Sequence, residues 1–202
     1  MYTLYYTPGA CSISPHIALR EAGADFTLDK VDLRQHKTHD GGDFFAINPS
    51  GYVPALRLPD GEILTEGAVM VQYIADQAPE SHLAPPAGTM ARYRVMEWLN
   101  FIATELHKGQ GPLLNVLAGP ELKAQAAHKV GKRFHHVVEA LGDREWLFGD
   151  HFTILDGYLF FNLRLWQKNA KQALEPGLVP YYRRLAERPS VVAALAAEGI
   201  SA

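Results

Sequence analysis

The single cysteine, Cys11, follows a β-rich run and a Thr7-Pro8-Gly9 turn, and it stands at the mouth of a helical pattern whose first turn contains Pro15. Free backbone N–H groups and the positive end of a helix dipole favour thiolate over thiol. Cysteines so placed have pKa values lowered from about 8.5 into the range of roughly 3.5 to 7.5. A drop of about 2 units corresponds to about 2.7 kcal/mol and makes thiolate the main form near pH 7. The position therefore predicts an activated thiol, with a packed structural cysteine as the bland alternative. The small, partly polar neighbours Ala10, Ser12 and Ser14 favour access. Cys11-Ser12-Ile13-Ser14 is a C-x-x-S arrangement, so no second thiol of this chain can resolve a disulfide, and a redox cycle requires an external thiol.

Three further places offer binding chemistry. Val53-Pro54 opens a strand after the Ser50-Gly51-Tyr52 turn, and a proline there leaves ladder groups free for a ligand backbone. Thr65-Glu66-Gly67 stands at the mouth of a second helix, where a carboxylate and bare N–H groups can hold an ammonium and a carboxylate together. Asn100, Thr104 and His107 recur at i, i+4 and i+7, a polar patch beside Lys108 on one face of a long helix. His135, His136 and Glu139 have the spacing of metal ligands but lack a wider cluster, so no metal is expected.

The elements that must position these residues divide the chain in two. Tyr2 to Tyr6 reads as a strand, Ile13 to Ala22 as a helix closed by Gly23, and Phe26 to Asp32 as a second strand. Val53 to Leu58 and Ile63 to Thr65 flank Asp60-Gly61, a hairpin signal, and a nearly all-apolar helix runs from about Gly67 to Gln77. This βαβ then ββα order predicts a small mixed α/β domain over residues 1–78. Residues 79–88 carry three prolines and read as a semi-rigid linker. Residues 89–202 show only helical periods. Tyr93, Met96, Leu99, Ile102 and Leu106 predict a core-facing stripe ending near Gly109. Pro120 opens a helix closed by Leu141-Gly142, Thr153 and Asp156 form a capping-box pattern for a helix to about Trp166, and Ser190 to Glu198 is the last.

Composition removes several classes of function. The 202 residues carry 19 Lys+Arg against 22 Asp+Glu, a net charge of −3, and no basic run that would coat phosphates, so a nucleic-acid partner is not expected. No apolar run approaches the roughly 18 residues of a membrane span, and the first residues lack a basic leader followed by a long apolar stretch. A cytoplasmic protein without a membrane partner is expected, its lone cysteine fitting a reducing compartment.

The motifs YYTPGACSISPHIALREAG, FFAINPSGYVPAL, LTEGAVMVQYIAD, EWLNFIATELHKG and GDHFTILDGYLF, in this order and spacing, resemble the cytosolic glutathione transferases, most closely their bacterial beta class. The resemblance covers essentially the whole chain. It implies an α+β fold, in which an N-terminal thioredoxin-like domain binds glutathione as co-substrate. An all-helical C-terminal domain supplies the pocket for a small electrophilic substrate, in a homodimer with a detoxifying role. It implies Cys11 beside the glutathione sulfur, able to form a mixed disulfide, with Tyr6, Ser12 and His107 as the other catalytic positions. Glutathione contacts are implied at Leu33, His36, Tyr52, Val53, Pro54, Glu66, Gly67, Asn100, Glu105, Lys108 and Trp166, with Glu105 reaching across the dimer. Tyr6, Pro8, Gln110, Leu114 and Trp166 are implied around the electrophile. The class commonly carries Lys where this chain has His36 and Gln where it has Tyr52. Rival readings are a non-catalytic carrier of apolar ligands on the same fold, or a specialised dehalogenase or isomerase.

Overall fold

The computed structural model describes residues 1–201. Strand alternation organises its first part. In β1 (Tyr2–Tyr6), Leu4 and Tyr6 turn to one face and pack with the main core, whereas Tyr5 turns to the other, against Val31, Phe44, Val53 and Ala55. After α1 (Ile13–Glu21), β2 (Phe26–Lys30) returns parallel to β1, and β3 (Ala55–Arg57) and β4 (Ile63–Thr65) add antiparallel strands. The four-stranded sheet has the order β2-β1-β3-β4. β3 is shorter than the Val53 to Leu58 run, because Pro54 has no N–H to give a ladder and Leu58 is already engaged in the hairpin turn through Glu62. Gly61, at φ 94°, supplies the backbone conformation that this turn requires. Helix α2 (Gly67–Gln77) buries Met70, Val71, Ile74 and Ala75, but Val69 stays exposed, so its apolar girdle is not wholly covered within one chain.

The linker is pinned. Pro79–Ser81 forms a short 3-10 turn, and the carbonyl of buried Leu83 accepts from Ile154 N at 3.0 Å. The buried guanidinium of Arg92 donates to Pro85 O at 2.7 Å and to Asp76 Oδ2 at 2.5 Å, tying α2, the linker and the next helix.

The helical part contains α3 (Met90–Phe101), α4 (Gly111–Leu114), α5 (Pro120–Leu141), α6 (Ile154–Lys168), α7 (Val179–Ala186) and α8 (Pro189–Glu198). Between α3 and α4 the coil never stops. It widens into a π-helical segment, Ile102–His107, and tightens into a 3-10 turn, Lys108–Gln110, so the rod runs past Gly109. Its buried stripe is Arg92, Val95, Leu99, Ile102 and Leu106, not one that includes Tyr93 and Met96, which are exposed. Steps of three fall behind the 3.6-residue turn, and the real stripe alternates three and four. The capping box of α6 forms as its residues predict, with the buried Asp156 carboxylate accepting from Thr153 N at 2.8 Å, Leu147 N at 3.0 Å and Tyr181 Oη at 2.5 Å. α6 is buried nearly all round and packs on α1, so one apolar core spans sheet and helices. No helix of the described residues is long and apolar enough to cross a membrane.

Candidate active site

β1 hands the chain to a loop that is stapled before it reaches α1. The hydroxyl of Ser12, fully buried, accepts from Thr7 N and donates to Thr7 O, both at 3.3 Å. Both hydrogen-bonding functions of the Ser12 hydroxyl are thus engaged by the loop. Gly9 N donates to Glu198 Oε2 at 2.9 Å, so the end of α8 also holds this loop. Pro8 lies half-buried within it. Tyr6 is buried in the main core, and burial followed by the Glu198 carboxylate pushes its phenol up, so it stands as a neutral O–H.

Cys11 is half-buried, and its Sγ–H donates to Val53 O at 3.3 Å. Its ionisation runs opposite to the sequence expectation. Burial pushes the thiol up to about 11, against the pull of the N–H groups of Cys11 and Ser12 and of the Lys108 ammonium, with the Glu66 carboxylate adding to the rise. The helix mouth does offer donors, but Ile13 N is taken by Ala10 O and Ser14 N by Cys11 O. What remains does not outweigh desolvation.

The Val53–Pro54 peptide bond is cis, and a Cβ built on Gly67 would stand 3.8 Å from Pro54 Cγ, so the Pro54 ring abuts the start of α2. Glu66, at φ 66°, turns the chain there and lies within electrostatic reach of Cys11. Leu33 and Ala10 pack with the smaller core around Val53. His36, also at positive φ, lays its ring 4.3 Å from Phe45 and leaves Nδ1 buried without a partner among the described residues. Tyr52 is 70% exposed, and the Lys108 ammonium stands 5.8 Å over its ring, a cation–π contact joining the two parts of the chain.

From the helical side comes His107, whose Nδ1 is 3.0 Å from the hydroxyl of Tyr158 and whose ring meets Phe161 edge-on at 4.9 Å. Burial, then the Lys108 ammonium, lowers its pKa from 6.5 to about 4, so the imidazole is neutral near pH 7. The Tyr158 phenol is pushed well up by burial and by the nearby Cys11 and Glu66. Tyr158 escaped the sequence reading. Its signal is a lone tyrosine beside the apolar run Leu159-Phe160-Phe161, where a buried O–H demands a partner.

The remaining expected residues sit on the helical part. The π-helical segment rotates His107 away from Asn100 and Thr104, which stay exposed and bond each other at 2.9 Å through Thr104 Oγ1 and Asn100 O. Glu105 is paired within its own chain, to Arg133 Nε at 2.7 Å and Lys129 Nζ at 3.6 Å. Trp166 is buried against Phe134, its indole N–H given to Ala173 O at 2.9 Å. Gln110 is fully buried and donates to Asn162 O at 3.3 Å, whereas Leu114 on α4 is exposed. His135 Nδ1 lies 3.0 Å from Glu175, His135 Nε2 and His136 Nδ1 approach the Glu139 carboxylate at 3.8 and 3.9 Å, and the His136 ring stacks on Trp98.

A thioredoxin-like sheet with a cysteine at its first helix, within electrostatic reach of a tyrosine that bonds a histidine of the all-helical part, is the architecture of a glutathione transferase. The model of the glutathione S-transferase N-terminal domain matches residues 10–77, and that of the C-terminal domain matches residues 94–198. Glutathione S-transferase GstA of Escherichia coli O157:H7 is 48% identical over 98% of each chain. The solved ternary complex of BphK, a bacterial glutathione transferase, is 46% identical with a TM-score of 0.95, over 98% of this chain and 100% of that one. A sphingomonad glutathione S-transferase solved with glutathione is 44% identical with a TM-score of 0.93, over 98% of this chain and 100% of that one. The chain belongs to the glutathione S-transferase family, in its bacterial beta class.

Proposed function

We propose that this glutathione transferase joins the sulfur of glutathione to small electrophiles, with the tripeptide lying along Leu33, Val53-Pro54 and Glu66-Gly67 and its sulfur beside Cys11. The observation that carries this reading is the convergence of Cys11, Glu66, Lys108, His107 and Tyr158 from both parts of the chain on one cleft. Glu66 meets the ammonium of the γ-glutamyl end, and the N–H groups at the start of α2 meet its carboxylate. The thiolate of glutathione attacks an electrophilic carbon. A C–S bond forms, a leaving group such as halide departs with the bonding pair, and the thiol proton passes to solvent. His36 and Tyr52 flank the polar ends of the tripeptide, and Leu114 with Tyr6 and Pro8 borders the electrophile.

A second activity is thiol–disulfide exchange. The Cys11 thiolate attacks a glutathione-containing disulfide, giving a mixed disulfide and releasing a thiol. A second glutathione then frees Cys11 and leaves as oxidised glutathione. Burial, which raises the Cys11 pKa, disfavours at neutral pH the thiolate that this route needs. The protein acts in the cytoplasm, where glutathione is abundant, as a homodimer. Support for the dimer is a band of exposed apolar side chains, Phe45, Val69, Met90, Tyr93 and Met96, on α2, α3 and the loop beside them.

Calorimetric titration with glutathione, paired with turnover of an aryl halide, tests the reading. Saturable binding, weakened at least about tenfold in Glu66→Ala, with glutathione-dependent release of halide supports it. Binding of apolar ligands without either would favour a carrier.

A further inference from the structure

We infer that Tyr158 is a positioning residue that fixes His107 as its Nε2–H tautomer, making the imidazole a hydrogen-bond donor to a sulfur anion in the cleft and not the base that takes the thiol proton. The inference rests on the reading that this cleft holds glutathione and adds which role His107 plays there.

A neutral imidazole carries one proton, and its position is set by the bond that the other nitrogen makes. His107 Nδ1 and the Tyr158 hydroxyl are 3.0 Å apart, and that nitrogen is the sole partner of the hydroxyl among the described residues. Tyr158 is only 5% exposed. Were Nδ1 protonated, the phenol would have to accept, and its own O–H would be left buried without an acceptor, an expensive state. With the phenol donating, both groups are satisfied: Nδ1 accepts, and the proton sits on Nε2. That nitrogen is not among the buried polar atoms lacking partners, so it opens to solvent. Phe161 holds the ring edge-on at 4.9 Å, and Asn162 Nδ2 secures the backbone of Tyr158 at 2.9 Å, so both ends of the pair are fixed. A phenol as weakly acidic as Tyr158 remains protonated, hence a donor, throughout the neutral range. A fixed donor aimed at an anion contributes more than one that must reorient when the charge forms.

Nitrogen-15 labelled histidine in the glutathione-free protein at pH 7 reads the tautomer directly, because protonated and bare ring nitrogens differ in shift. The His107 signals, one set of nine, are those missing from His107→Gln. Nε2 protonated and Nδ1 bare is expected in the wild type, with a mixture of tautomers in Tyr158→Phe, which keeps the aromatic ring. A protonated Nδ1 in the wild type, or an unchanged single tautomer in Tyr158→Phe, overturns the inference whether or not glutathione binds. The bound-thiolate absorbance of glutathione gives the second readout. It should fall about fivefold in Tyr158→Phe, the effect of one lost hydrogen bond, and should survive in His107→Gln, which keeps a donor but cannot act as a base. Equal loss in His107→Gln and His107→Ala would reinstate the base. Should Tyr158→Phe not fold, the wild-type tautomer alone decides.

Discussion

Cys11 and His107 are both held away from their ordinary ionisation by burial. Cys11 is held as a thiol. In the glutathione-free protein its alkylation by iodoacetamide should accelerate by about tenfold per pH unit from neutrality to about pH 10, as the thiolate fraction does. A rate already level by pH 8 would contradict the raised pKa. His107, in turn, has a folded pKa near 4 against an ordinary 6.5. Between those values the unfolded chain binds a proton that the folded chain refuses, so this contribution to stability is complete above about pH 6.5 and is lost as pH falls towards 4. Urea midpoints over this range should drop less steeply in His107→Gln than in the wild type, and parallel curves would contradict the assignment. The residue types of the site were readable, since a cysteine at a helix mouth and a Glu-Gly at another are local patterns. The ionisation of Cys11 was not readable, because desolvation depends on Val53 and on α6, which are remote in sequence.

Elements decide where those side chains point. The α6 capping box was legible because Thr153 and Asp156 act within one turn, but the further donors to Asp156, Leu147 N and Tyr181 Oη, come from elsewhere. Thr153→Ala should therefore cost about 1 kcal/mol. Asp156→Ala, which orphans several buried donors at about 1–3 kcal/mol each, should cost well above that, both read from urea unfolding. Equal costs would show that Asp156 only caps. The rod from Met90 to Leu114 is where periodic reading failed. A constant helical period places Asn100, Thr104 and His107 together, and the π-helical segment at Ile102–His107 sends the histidine to Tyr158 and leaves the other two outside. Nothing local in the sequence marks that change of winding, which follows from packing against α5 and α6.

At the level of the whole molecule, sheet and helices share one core and are tied by Arg92, Lys108 over Tyr52, and Glu198 against the Gly9 loop. The order of elements was visible as a change of hydrophobic period, whereas these ties join residues far apart in the chain. The exposed apolar side chains of α2 and α3 are proposed as the dimer surface. The wild type should sediment as a dimer and Tyr93→Glu combined with Met96→Glu as a monomer, and a wild-type monomer at micromolar concentration would contradict this.

On the proposed mechanism the sulfur of glutathione is activated without Cys11, which serves only the exchange route. Glutathione-dependent turnover of an aryl halide and of a small disulfide, measured side by side at one pH with wild type and Cys11→Ala, separates the two. Conjugation that persists in Cys11→Ala while disulfide turnover vanishes is the predicted result. Loss of both activities together would contradict the account.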